Sequence, residues 1–140
     1  MDRLLEYTSH HPWLAAFAVV TALAVVVYEL LLRAQNTASL APQDAIRLMN
    51  QGATVLDLRP QQDYAAGHIN GARHFDPGQI ARASDALKRY KERPLIIYCD
   101  RGSVAAAAVR VLARQGFTKV FNLRGGLAAW RAENLPLARE

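Results

Sequence analysis

Residues 13–32 form one run of 20 with 18 apolar side chains, broken only by Thr21 and Glu29. In a helix those side chains lie on every face, whereas a helix buried in a small domain keeps a polar stripe. The run reaches about 30 Å as a helix, the thickness of a bilayer's hydrocarbon core. A secretory signal peptide has a shorter apolar region, of about 7 to 15 residues, followed by a small-residue cleavage site. Here the triplets Ala16-Phe17-Ala18 and Ala22-Leu23-Ala24 sit inside the run, and Arg33-Ala34-Gln35-Asn36 supplies none after it. The sequence therefore predicts an amino-terminal tail (1–12), a transmembrane helix that meets lipid through residues 13–32, a linker (33–38) and one small domain (39–137). Glu29, one turn from Arg33, is expected to snorkel toward the headgroups.

Residues 1–32 set Arg3 against Asp2, Glu6 and Glu29, so the chain's net charge of +5 conceals −2 there and +7 beyond. Basic residues near the membrane ends lean to the carboxyl side, with Arg33 and Arg47 against Arg3, which orients that side inward. The single cysteine, Cys99, points the same way, because small secreted domains more often pair their cysteines. The domain is thus expected in the cytoplasm. With no second cysteine and no spaced histidine pair beyond the interfacial His10 and His11, no metal site is expected. The basic run Lys88, Arg89, Lys91 and Arg93 reads as a solvated helix face that anionic headgroups could also meet. Aromatic residues do not interleave with it, so no nucleic-acid partner is expected.

Beyond the linker, helical and extended patterns alternate. Helices are predicted from Pro42 to Gly52, around Gln62–Ala66, over 79–92, over Ser103–Gln115 and over Leu127–Glu133. Strands are predicted over Thr54–Leu58, Ala72–Phe75, Pro94–Tyr98 and Lys119–Leu123. That alternation implies an α/β domain with a mainly parallel sheet covered on both faces, and ligands bind such sheets off the carboxyl ends of the strands. Cys99 stands there, directly after the best strand and before the best helix. In Cys99-Asp100-Arg101-Gly102-Ser103, Gly102 permits a curve with N–H groups pointing inward, Ser103 can cap the helix, and Arg101 brings a cation near a sulfur anion or an anionic substrate. The alternative is a buried structural cysteine at a strand end.

Four stretches give these residues a family resemblance. They are Asp57-Leu58-Arg59; Asp63-Tyr64-Ala65-Ala66-Gly67-His68-Ile69-Asn70-Gly71-Ala72; Leu95-Ile96-Ile97-Tyr98-Cys99 with Gly102; and Gly125-Gly126-Leu127-Ala128-Ala129-Trp130 followed by Leu135-Pro136-Leu137. In this order the soluble part resembles a single rhodanese domain, and with its anchor the chain resembles small rhodanese-like proteins of the bacterial inner membrane. The resemblance implies that Cys99 takes a sulfane sulfur as a persulfide and passes it to a thiol or to cyanide, with no metal or organic cofactor. Thiosulfate, with sulfite as leaving group, is a plausible small donor. The resemblance also implies that Asp57 and Arg59 brace the loops around the site and that the His68 ring bonds to nearby backbone. Trp130 reads as core.

Two residues depart from the family pattern: Val104 stands where members often carry a basic residue, and Asp100 is acidic where thiosulfate-using relatives are commonly basic. Both disfavour efficient thiosulfate use and leave a persulfide carrier with another donor open. A phosphatase of the same fold needs arginine at the sixth position after the cysteine, where this chain has Ala105. The remaining alternative is a catalytically idle module that docks a membrane-protein partner.

Overall fold

The computed structural model describes residues 11–36 and 38–139 and divides into two units, up to Thr37 and from Ala38. Residues 1–10, with Arg3 and His10, lie outside the described residues, as do Thr37, Glu140 and the side chains of 33–36, which include Arg33.

Among the described residues the first unit contains one helix, α1 (Pro12–Asn36), whose segment Pro12–Leu32 has a mean hydropathy of 2.4 and is long and apolar enough to cross a membrane. The Thr21 hydroxyl donates to the Phe17 carbonyl at 2.8 Å, so it is satisfied within the helix. The helix continues beyond Leu32 through most of the segment expected as linker, because Arg33, Ala34 and Gln35 are good helix formers.

The second unit is built from β1 (Ser39–Leu40), α2 (Pro42–Asn50), β2 (Thr54–Asp57), α3 (Gln61–Ala66), β3 (Arg73–His74), α4 (Ala83–Ala86), β4 (Leu95–Tyr98), α5 (Ser103–Arg114), β5 (Val120–Leu123) and α6 (Gly126–Ala132). Its five strands form one parallel sheet in the order β1-β5-β4-β2-β3. Strand β1 was not anticipated, since two residues are too few to show alternation. It is pinned by the Asn122 N–H donating to the Ala38 carbonyl at 2.8 Å and the Arg124 N–H donating to the Leu40 carbonyl at 2.7 Å.

The single helix expected over 79–92 is absent. The chain instead makes a 3-10 turn (Pro77–Arg82), the one-turn α4 and a second 3-10 turn (Lys88–Tyr90). Buried Ile80, Ala83, Leu87 and Tyr90 do recur at helical spacing, which produced the expectation. The Asp76 carboxylate, however, accepts the Gly78 N–H at 2.8 Å and starts a tight turn. Ser84 and Asp85 are weak helix formers, so nothing locally favours a continuous α-helix over i to i+3 bonding.

Strand β4 runs through the middle of the sheet, fully buried, and its alternation divides the core. Leu95, Ile97 and Cys99 pack with Leu56, Leu58 and the α5 residues Ala105, Ala108 and Leu112. Ile96 and Tyr98 pack on the other face with Val55, Ala45, Leu127 and Trp130. A carboxyl-terminal stitch closes the unit: His68 and Ala138 exchange backbone hydrogen bonds of 2.9 and 2.7 Å.

Candidate active site

Neighbouring β2 and β4 leave the sheet in opposite directions, β2 toward β3 and β4 toward β5. At such a switch point a crevice opens outside the carboxyl ends of the strands. Asp57-Leu58-Arg59 begins on the last residue of one of these strands and Cys99-Asp100-Arg101-Gly102 follows the other, so the fold itself brings the two motifs together.

The turn after β4 curls around the sulfur. Cys99 is 5% exposed, and its Sγ accepts the Gly102 N–H at 3.1 Å and the Ala105 N–H at 3.5 Å. The expected Ser103 cap is not made: the capping position is Gly102 itself, at a left-handed φ of 101°, and Ser103 is an exposed first residue of the helix. The reason is geometric. Reversing the chain between strand and helix needs a left-handed residue, which glycine adopts without steric cost. The first-turn donor of Ala105 then falls on the thiol in place of a hydroxyl. The helix end directs its positive dipole at the sulfur as well.

The outer side of the same turn is held by α6. The Leu127 and Ala128 N–H groups donate to the Cys99 and Asp100 carbonyls at 2.9 and 3.0 Å. This approach requires glycine at 126, where an added Cβ would overlap the Cys99 carbonyl and lie 2.7 Å from that of Asp100. In the sequence Gly125-Gly126 is legible as part of the fourth family stretch; its role as a seat for the cysteine loop appears once the chain is folded.

The turn after β2 is held by charge. Arg59 and Asp57 are 3% and 0% exposed. The Arg59 guanidinium donates to both Asp57 oxygens, the shortest contact being 2.7 Å, and to the Gly67 carbonyl at 2.6 Å. Tyr98, directly opposite Asp57 in the sheet register, donates its hydroxyl to the same carboxylate at 2.6 Å and accepts the Ile69 N–H at 3.1 Å. Burial pushes the Tyr98 phenol far above its ordinary value, and the bond to Asp57 adds to this. Burial opposes the Arg59 charge, but the hydrogen bond and charge of Asp57 outweigh it, so the guanidinium is held above its ordinary value. Tyr98 escaped the sequence reading because in a buried strand a tyrosine is indistinguishable from core.

His68 is buried, its Nδ1 donates to the Tyr64 carbonyl at 2.8 Å, and its ring stacks on Tyr64. His74 holds the Arg59 carbonyl through Nε2 at 2.7 Å. Asp100 is exposed, and its carboxylate stands 4.0 Å from the Arg59 guanidinium. Arg101 is exposed and makes no ion pair among the described residues. Val104, 47% exposed, lines an apolar groove with Pro77, Ile80, Ala81, Ala108 and Val111. Trp130 is buried, donating to the Pro136 carbonyl at 3.1 Å.

Comparison with known proteins agrees with this architecture. Residues 41–133 match the family model of the rhodanese-like domain. The chain is 31% identical to the uncharacterized protein YibN of Escherichia coli over 99% of both chains. It is 43% identical to the thiosulfate sulfurtransferase GlpE of Pseudomonas fluorescens over 93 residues, 64% of this chain and 81% of that one. The solution structure of a rhodanese-like domain from Anabaena superposes with a TM-score of 0.64 at 31% identity, covering 74% of this chain and 80% of that one. A parallel sheet with a cysteine cradled at its switch point, and the match over most of that sheet, place this chain in the rhodanese-like family, as one such domain preceded by an apolar helix long enough to cross a membrane.

Proposed function

We propose that the protein is a membrane-anchored sulfurtransferase or sulfur carrier that moves sulfane sulfur through a persulfide on Cys99. One observation carries the reading: Sγ sits where two backbone N–H groups and a helix end converge, a setting that stabilises a sulfur anion without any cofactor. The Cys99 thiolate attacks the sulfane sulfur of a small donor. With thiosulfate, the new S–S bond forms as the bond to sulfite breaks, and sulfite leaves with the electron pair. The anionic outer sulfur is then held by the loop until a thiol or cyanide attacks it and the Cys99 thiolate departs. Arg101, in the loop, attracts an anionic donor. Asp100, Gly102, Ser103 and Val104 complete the loop, Asp57 and Arg59 hold the neighbouring turn after β2, and His68 supports the segment that follows α3.

In this reading α1 is a single-pass anchor in a bacterial inner membrane with the domain in the cytoplasm. A reporter active only in the cytoplasm, fused after Glu140, is expected to be active. An active periplasmic reporter beside a silent cytoplasmic one would reverse the orientation.

Intact mass of the full chain after exposure to thiosulfate tests the chemistry. One added sulfur is expected, and none in Cys99→Ser, which keeps the fold. The apolar groove beside Val104 favours a second reading, a module that docks a membrane-protein partner. It takes over if neither thiosulfate nor a persulfide donor adds sulfur.

A further inference from the structure

Because all five strands run parallel, the sheet has an amino edge and a carboxyl edge with different surroundings. The chain enters the domain at the amino edge, at Ser39, and residues 33–38 separate that point from Leu32, the last residue of the apolar run. That tether spans at most about 25 Å even when fully extended. On the same edge lie the loops before β4 and β5, which carry Lys88, Arg89, Lys91, Arg93 and Lys119 against a single acid, Glu92. They are joined to one another: Thr118 donates its N–H and its hydroxyl to the Lys91 carbonyl at 3.1 and 3.2 Å, and the Leu95 N–H donates to the Lys119 carbonyl at 2.8 Å. Lys88, Arg89, Arg93 and Lys119 are exposed, and none makes an ion pair among the described residues. The carboxyl-edge turns differ, since there Asp57, Asp76 and Asp100 offset Arg59, Arg101 and Arg124.

We infer that the amino edge of the sheet is a docking surface for the anionic headgroups of the bilayer that holds α1. The inference rests on the proposed anchoring of α1. It fits the charge to the one surface that the tether guarantees will be near, and it turns Cys99, at the far end of β4, toward the aqueous phase from which donor and acceptor arrive.

The test is amide hydrogen exchange on the full chain in nanodiscs of phosphatidylcholine alone or mixed with phosphatidylglycerol. Exchange in 87–93 and 115–119 is expected to slow by about tenfold in the anionic discs, and added salt should reverse this. Arg93→Gln with Lys119→Gln should return the rate at least about fivefold toward that in neutral discs, given roughly a fivefold gain per basic residue at an anionic surface. Arg101→Gln removes a charge at the opposite edge without touching a described ion pair or hydrogen bond and should change little. Loss of protection in Arg101→Gln equal to that in the double variant, or equal exchange in both lipids, overturns the docking surface. Alkaline extraction separates the two readings: a chain that washes out of the membrane defeats the anchor and the inference with it, whereas a retained chain without lipid-dependent protection defeats the inference alone.

Discussion

The turn after β2 is fixed by side chains, whereas the turn after β4, one strand away, is fixed by backbone. In the first, buried Arg59, Asp57 and Tyr98 satisfy one another and the Gly67 carbonyl out of water, and half-buried His74 takes the Arg59 carbonyl. In the second, the N–H groups of Gly102 and Ala105 face the sulfur, and the N–H groups of α6 take the carbonyls of Cys99 and Asp100. A buried network of charges fails when any member is lost, because the partner left behind is desolvated and unpaired. A backbone cradle tolerates changes of side chain wherever φ and close approach allow them. Asp100, Arg101, Ser103 and Val104 are therefore free to vary, while Gly102 and Gly126 are not free to change.

Breaking the first turn should have the largest effect. Arg59→Ala strands the Asp57 carboxylate with no cation and is expected to cost about 3 to 5 kcal/mol, read as a lower denaturation midpoint of the full chain in detergent. Sulfur loading should fall only as far as the folded fraction does. An unchanged midpoint with loading abolished would assign Arg59 a direct part in the chemistry.

Gly126→Ala attacks the second turn from behind. The new Cβ meets the Cys99 and Asp100 carbonyls at a left-handed φ of 60°, so overpacking and backbone strain combine to about 1 to 3 kcal/mol. Because the displaced atoms belong to the cradle, loading should drop further than stability alone accounts for. Loading that simply tracks stability would show that the sulfur does not depend on this clamp.

Tyr98→Phe sharpens the contrast, since it removes one donor from Asp57 and one acceptor from the Ile69 N–H at an expected cost of about 1 to 2 kcal/mol. Its signature lies in the pH profile. The folded phenol is raised by burial, whereas the unfolded phenol ionises near pH 10. The Tyr98 contribution is thus fully present below about pH 10 and declines above it, where the unfolded chain binds fewer protons than the folded one. Wild type should lose stability above that pH more steeply than Tyr98→Phe. Parallel curves would contradict the buried, protonated phenol.

These differences also mark what the sequence could reveal. Short apolar runs made β2 and β4 legible, and helical spacing closed by Gly116 did the same for α5, and with them the placement of Cys99 at a strand end. Strand β1 was too short to leave a pattern. In 79–92 the buried spacing of Ile80, Ala83, Leu87 and Tyr90 imitated a continuous helix, although tertiary anchoring of separate turns produces the same spacing. Tyr98 joins the network through its register opposite Asp57, which is a property of strand pairing and leaves no trace in local sequence. The Ser103 cap failed for a related reason: residue type suggested a hydroxyl acceptor, but the left-handed Gly102 moved the cap position back by one and gave the donor to sulfur.

The smallest effect is expected at the exposed side chains of the cradle. Arg101→Gln touches no described ion pair or hydrogen bond, so the denaturation midpoint should stay within about 0.5 kcal/mol of wild type. Its positive charge nevertheless lies in the loop that a dianion such as thiosulfate must approach, and one unit charge at close range in water is worth about 1 kcal/mol, roughly a fivefold change in rate. Asp100→Asn removes the opposing charge and should speed the same reaction by a comparable factor, reduced because Arg59 at 4.0 Å already offsets that carboxylate. Both effects should shrink with added salt and with an uncharged donor. The measurement is the initial rate of sulfur loading by intact mass across an ionic-strength series. If Arg101→Gln slows anionic and neutral donors equally at every salt concentration, the arginine shapes the loop and does not steer the donor. The side chains of the cradle would then be as structural as those of the turn after β2.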